Sequence, residues 1–212
     1  MIDDLPAQGV VLSGPNGFSM TGSALKARLQ ELGDMMSTLP QGTRVATLLP
    51  DAPATAISLL ALVHHVQLMP INPSLSDREI EKILTDGHAA ILLSAAQDAR
   101  AARLAHACSL PLATLNDESI LQVPALRGDE KEPGLILLTS GSTGAPKRVP
   151  LRPAQLHQSS RRIAQSLKLG ADDCAVHALP MFHIGAVVDM LLAPLLQGGS
   201  TVICPDRTPT AL

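Results

Sequence analysis

Residues 139–148 read Thr-Ser-Gly-Ser-Thr-Gly-Ala-Pro-Lys-Arg, and the apolar run Leu135-Ile136-Leu137-Leu138 feeds into them. Gly141 and Gly144 let a backbone turn sharply and approach a ligand, because glycine adopts positive φ without a Cβ penalty. Successive backbone N–H groups, with the hydroxyls of Thr139, Ser140, Ser142 and Thr143, would present a concave field of donors to an anion. Lys147 adds a point positive charge suited to a phosphate oxygen. The residue types therefore describe a cradle for a polyphosphate. The common nucleoside-triphosphatase loop needs four residues between two glycines and Lys-Ser/Thr directly after the second. Here two residues separate Gly141 from Gly144, Lys147 comes three after Gly144, and Arg148 stands where that loop has its magnesium-binding hydroxyl. Ser/Gly-rich turns also join strands to helices without binding anything, so composition alone leaves both readings open.

A second group is Pro180-Met181-Phe182-His183-Ile184-Gly185. A lone histidine among apolar neighbours is more often a hydrogen-bonded structural residue. The functional alternative is an imidazole that orients or partly neutralises a carboxylate substrate. His64, His65 and His88 lack Asp, Glu or Cys partners at metal-ligand spacing, so no metal site is expected.

Elements must place these residues at the carboxyl ends of strands. With 46% hydrophobic and 17% charged residues in 212, a packed core is expected rather than disorder. The net charge of −3, with no Lys/Arg run beyond two residues, argues against a nucleic-acid partner. Cys108, Cys174 and Cys204 are odd in number and form no CxxC pair, as expected of small buried hydrophobes in a reducing cytosol. The N-terminus Met1-Ile2-Asp3-Asp4 has no secretory pattern. The apolar stretches 56–63 and 184–196 are too short or are interrupted by Asp189 and Pro194, so no transmembrane segment is expected. The expectation is a soluble cytoplasmic protein. Only Phe18 and Phe182 are aromatic, so Leu, Ala, Ile and Val must fill the core.

Short strand-like runs alternate with helical stretches, the pattern of an α/β protein with layered, mainly parallel sheets and helices on both faces. Thr21-Gly22-Ser23 caps a helix carrying Leu25, Leu29, Leu32 and Met36 at helical spacing. Strands are expected over 44–49, 66–71, 89–94, 112–115, 135–138, 174–179 and 200–204. Helices are expected over 54–64, from the Ser76…Glu79 capping box through Ile80, Ile83 and Leu84, from Pro153 to about 169, and over 186–196. The polar, Pro-ended segment 128–133 is the best linker and a candidate subdomain boundary. The glycine loop and His183 both follow strands, and in open α/β sheets ligands gather at the carboxyl ends of strands.

The order Thr139-Ser140-Gly141-Ser142-Thr143-Gly144-x-Pro146-Lys147 resembles the phosphate-loop signature of the adenylate-forming superfamily, which contains acyl- and aryl-CoA synthetases, luciferases and peptide-synthetase adenylation domains. Pro180-x-Phe182-His183 resembles the matching segment of CoA ligases more than that of peptide synthetases. Gly198-Gly199 before a strand, and Pro70-Ile71-Asn72-Pro73 before a Glu79-led helix, are similar to further family segments. The resemblance runs in order from the helix near Thr21 to the strand ending at Cys204. It implies that residues 1–212 are the N-terminal portion of an AMP-binding (adenylation) domain, an incomplete N-terminal part of the adenylate-forming fold.

What it implies for chemistry is an acid–thiol ligase. A carboxylic acid attacks the α-phosphate of ATP, pyrophosphate leaves, and the acyl-adenylate passes its acyl group to CoA. Thr139, Ser140, Gly141, Ser142, Thr143, Gly144 and Lys147 would hold the β- and γ-phosphates. Thr143, Lys147 and His183 would serve catalysis, with His183 lining the acid's side beside Phe182 and Ile184. The Mg2+ ligand is expected outside this segment. The chain departs from the family at Leu138, where an aromatic residue is common, and at Arg148, where glycine is common; Arg148 is expected to point to solvent. The family's Tyr-Gly-x-Thr-Glu and Thr-Gly-Asp segments and its C-terminal lysine domain have no counterpart before Leu212. These residues alone are therefore expected to be inactive or nearly so without the C-terminal half, supplied in cis or trans. A non-catalytic nucleotide-binding or interaction module of the same fold, and an adenylation domain loading a carrier protein, stay open as alternatives. The acid itself is not legible.

Overall fold

The structure, a computed structural model, describes residues 5–40, 42–115, 120–121, 132–139 and 146–205. Of the 128–133 linker, residues 128–131 lie outside this set. The chain divides into two compact units and passes between them four times: inside the helices α1 (Gly22–Met36) and α2 (Pro53–Leu62), after Pro50, and after Arg152.

One unit comprises Leu32–Pro50 and Ala61–Arg152. Its seven-stranded sheet runs in the order β7-β6-β5-β3-β4-β8-β9. The strands are β3 (Arg44–Leu48), β4 (Gln67–Pro70), β5 (Ile91–Ala95), β6 (Leu112–Leu115), β7 (Ile120–Leu121), β8 (Gly134–Thr139) and β9 (Lys147–Leu151). The five central strands pair in parallel and the two edges, β7 and β9, antiparallel. Strands covered on both faces read as near-continuous apolar runs, as Ile91-Leu92-Leu93 and Leu135-Ile136-Leu137 do. Helices α3 (Asp77–Asp86) and α4 (Ala99–Ala107) contribute Ile80, Ile83, Leu84, Ala101, Leu104 and Ala105 to a core shared with Leu48, Met69, Leu92 and Ile136. The capping box at the start of α3 forms in full: the Ser76 hydroxyl accepts the Glu79 N–H and Glu79 accepts the Ser76 N–H. The α4 helix, capped by Asp98, is absent from the sequence reading.

The other unit comprises Met1–Glu31, Asp51–Leu60 and Pro153–Leu212. Its sheet runs β10-β11-β1-β2, with β1 (Val10–Ser13), β2 (Ser19–Thr21), β10 (Cys174–His177) and β11 (Ser200–Ile203). The α5 helix (Pro153–Leu167) packs in this unit. Expected as a plain helix, 186–196 instead forms a seven-residue π-helix, Ala186–Leu192, followed by the short α6 (Ala193–Leu195). Pro194 explains part of this. It has no N–H for the Met190 carbonyl four residues back, and the buried Thr201 hydroxyl of β11 donates to that carbonyl instead, at 3.0 Å. Among the described residues no helix is long and apolar enough to cross a membrane.

Candidate functional site

The glycine loop does not lead from a strand into a helix. It joins two antiparallel strands, because Lys147-Arg148-Val149-Pro150-Leu151 forms β9 before α5 begins. The register pairs Leu138 with Arg148 and Thr139 with Lys147, so these last two residues face each other across the base of the loop. The Thr139 hydroxyl donates to the Lys147 carbonyl at 3.4 Å. Its lone pairs stay available, but its proton serves the hairpin. Burial falls along β8, from Gly134–Leu137 inside to Thr139 exposed, and Lys147 is exposed too. Gly134 admits the close strand approach: a Cβ there would lie 2.4 Å from the Leu151 carbonyl oxygen. Ser140, Gly141, Ser142, Thr143 and Gly144 lie outside the described residues, so of the phosphate-loop residues the structure places only Thr139 and Lys147, its stem.

Beside the stem lies a cleft of about 200 Å³ between α3 and the hairpin. Leu75, Ile83, Leu138 and Pro146 line it, together with the charged residues Glu79, Lys82, Asp86 and Arg148. Arg148 does not simply point to solvent. Its guanidinium donates to the carbonyl of Asp86, the last residue of α3. The reading missed this because the acceptor is a main-chain atom 62 residues away in sequence. A hydrogen bond from Lys82, whose ammonium lies 2.8 Å away, holds the Asp86 carboxyl below its ordinary value. The charges of Lys82, Arg148 and His88 add to this against some burial.

His183 stands in the other unit, four residues before the π-helix's second residue and six after β10. Its turn is closed by its own N–H on the Pro180 carbonyl at 3.0 Å. The buried Met181 is held by its amide, which donates to the Asp51 carboxylate at 2.8 Å. Phe182 is half-buried, and its ring centroid lies 4.5 Å from that of the exposed His183. Ile184 is exposed beside it. Asp51 went unread as a site-forming residue. Its signal was only a turn, Pro-Asp-Ala-Pro, distant in sequence from Met181. Partial desolvation raises the carboxyl of Asp189, an exposed residue within the π-helix. A carboxylate on such a helix is notable because π-turns collect at functional sites.

This arrangement of sheets is that of the N-terminal part of adenylate-forming enzymes. The ATP-bound MatB of Rhodopseudomonas palustris superposes with a TM-score of 0.82 at 20% identity, covering 99% of this chain and 45% of that one. A malonyl-CoA ligase, solved as a ternary product complex with methylmalonyl-CoA and AMP, gives 0.80 at 25% identity, covering 99% and 45%. The model of the AMP-binding enzyme family matches residues 5–212, and the chain belongs to that family. Among curated relatives, the sulfoacetate–CoA ligase of Cupriavidus necator is 30% identical over 216 residues, covering 93% of this chain and 42% of that protein. The probable CoA ligase CCL9 of Humulus lupulus is 29% identical over 201 residues, covering 84% and 38%. The chain thus spans about two fifths of the length of these relatives.

Proposed function

We propose that this chain supplies the phosphate-holding N-terminal part of an ATP-dependent, AMP-forming acid–thiol ligase, with CoA as the acceptor. The observation that carries the reading is the Thr139–Lys147 pair closing a Gly/Ser/Thr-rich loop, in a chain whose relatives are CoA ligases. In the first step a carboxylate oxygen of the acid bonds to the α-phosphorus of ATP. The bond from that phosphorus to the bridging oxygen breaks, and pyrophosphate departs with the electron pair. In the second step the CoA sulfur bonds to the acyl carbon, AMP leaves, and the thiol proton is released.

The first step develops charge on the departing pyrophosphate, and fixed donors aimed at it lower the barrier. Lys147, with Ser140, Ser142, Thr143 and the N–H groups of Gly141 and Gly144, fills that role. Thr139 shapes the base of the loop. His183 orients the acid's carboxylate for in-line attack, with Phe182 and Ile184 as apolar neighbours for the acyl group. ATP enters with its magnesium. Among the described residues no group of three or more His, Cys, Asp or Glu side chains could hold a metal ion.

ATP–pyrophosphate exchange over a panel of carboxylic acids tests this reading. The chain alone is expected to give no exchange. Joined in cis or trans to the C-terminal part of a CoA-ligase relative, it is expected to exchange with at least one acid. Steady ATP hydrolysis without acid would point to a different activity. A folded, ATP-binding hybrid with no exchange on any acid would point to a non-catalytic module.

A further inference from the structure

The last four carbonyls of an α-helix have no donor within the helix. In α3 they belong to Ile83, Leu84, Thr85 and Asp86. The chain itself satisfies three: Gly87 N–H donates to Ile83 at 2.8 Å, Ala89 N–H to Leu84 at 3.0 Å, and His88 N–H to Thr85 at 3.0 Å. The fourth, Asp86, takes its donor from the Arg148 guanidinium on β9. A cation on a helix C-terminal carbonyl is favoured by charge-assisted bonding and by the helix dipole.

The tie matters because of what β9 lacks elsewhere. Strand β8 joins β4 through the pairs Gln67–Gly134 and Leu68–Leu135. From Ile136 to Thr139 its described ladder is with β9. In this loop-bearing arm β8 is held by the core, with Ile136 and Leu137 buried and Leu138 packed against it, whereas β9 is the edge strand with β8 beside it. Every side chain of β9 but that of Leu151 is exposed. Arg148 pairs with Leu138, one register step inside the Thr139–Lys147 pair that closes the loop.

We propose that Arg148 is a positioning residue for polyphosphate binding, its bond to the Asp86 carbonyl locking the loop-bearing arm onto the end of α3 and so fixing where Lys147 meets the phosphates. The proposal rests on the phosphate-holding role of this hairpin. Arg148 acts through the arm and not as a ligand of the nucleotide. Alternate residues of a strand point to opposite faces, so the cation that anchors and the cation that binds are neighbours in sequence but not in direction.

The test uses the 212-residue chain with Arg148→Ala and Arg148→Lys. Amide hydrogen exchange of residues 147–151 is measured without nucleotide, and MgATP and AMP binding by calorimetry. In Arg148→Ala, exchange in β9 should rise and MgATP binding should weaken, each about fivefold, with AMP affinity unchanged because AMP lacks the β- and γ-phosphates. Arg148→Lys, which can still reach the carbonyl with a charged donor, should recover most of both. Unchanged β9 exchange in Arg148→Ala overturns the anchor, even if ATP binding weakens, since that pattern means direct phosphate contact. Equal loss of ATP and AMP overturns the positioning role. If the unaltered chain binds AMP but not MgATP, the phosphate-holding reading itself fails, whatever the exchange of β9 shows.

Discussion

The Asp51 carboxylate and the Met181 amide, 2.8 Å apart, tie together two turns separated by 130 residues of sequence. Met181 is buried, so its N–H has no access to bulk water once the carboxylate is gone. Asp51→Ala should destabilise the chain by about 1–3 kcal/mol, the usual cost of an unmatched buried donor. Asp51→Asn, which keeps a side-chain oxygen, should lose less. Urea unfolding of the three proteins checks this; equal midpoints would mean the contact does not hold the His183 turn.

The Thr201–Met190 bond offers a test of the π-helix. Thr201→Val keeps the shape but removes the hydroxyl that donates to the Met190 carbonyl, which Pro194 cannot serve. A loss of about 1–3 kcal/mol is expected, lowering Tm by about 2–4 °C per kcal/mol in a chain of this size. Thr201→Ser should restore most of it. An unchanged melt in Thr201→Val would show that the carbonyl finds another donor.

The capping box of α3 carries a pH signature. The Ser76 hydroxyl, with help from the Ser76 amide, holds the Glu79 carboxyl below its ordinary value. An acid whose folded value is lowered adds stability above its unfolded value, about 4.3 for glutamate, and loses it as pH falls through the folded value. Ser76→Ala should therefore melt below the parent at pH 7, with the gap narrowing as the pH drops beneath the glutamate range. A gap that is constant across pH 3–7 (about the span where carboxylates titrate) would contradict the assignment.

His183 is exposed and its turn is closed by its backbone, so His183→Ala should leave Tm almost unmoved. In the complemented ligase it should raise KM for the carboxylic acid while leaving ATP affinity as it was. A lowered melt with unchanged acid KM would make His183 a structural residue.

Much of this fold could be read from residue order alone. The central strands, the capping box at Ser76 and the Pro153 helix start all carry short-range signals: apolar runs, a hydroxyl–glutamate spacing, a proline in a first turn. What was missed either lacks a strong local signal or depends on contacts distant in sequence. Strand β9 reads Lys-Arg-Val-Pro-Leu, with no alternation and a proline, a combination tolerated only at an edge where one row of N–H groups is unneeded. Helix α4 did carry a plain cap in Asp98 and buries Ala101, Leu104 and Ala105 at helical spacing, but two of those three are alanines, a weak apolar signal. Part of the π-helix traces to a proline whose unserved carbonyl is met by a hydroxyl on β11, and the placement of Arg148 depends on a main-chain oxygen on α3. At the candidate site, the loop and Pro180–His183 were legible as motifs. Their supports, Asp51 and Asp86, were not.

MgATP calorimetry on the chain and on Lys147→Ala tests the central claim most directly. The account expects measurable binding that Lys147→Ala weakens by about tenfold, the loss of one charge-assisted phosphate contact, with the thermal melt of the variant matching the parent. Equal ATP affinity in the two proteins would contradict a phosphate grip at the Thr139–Lys147 stem.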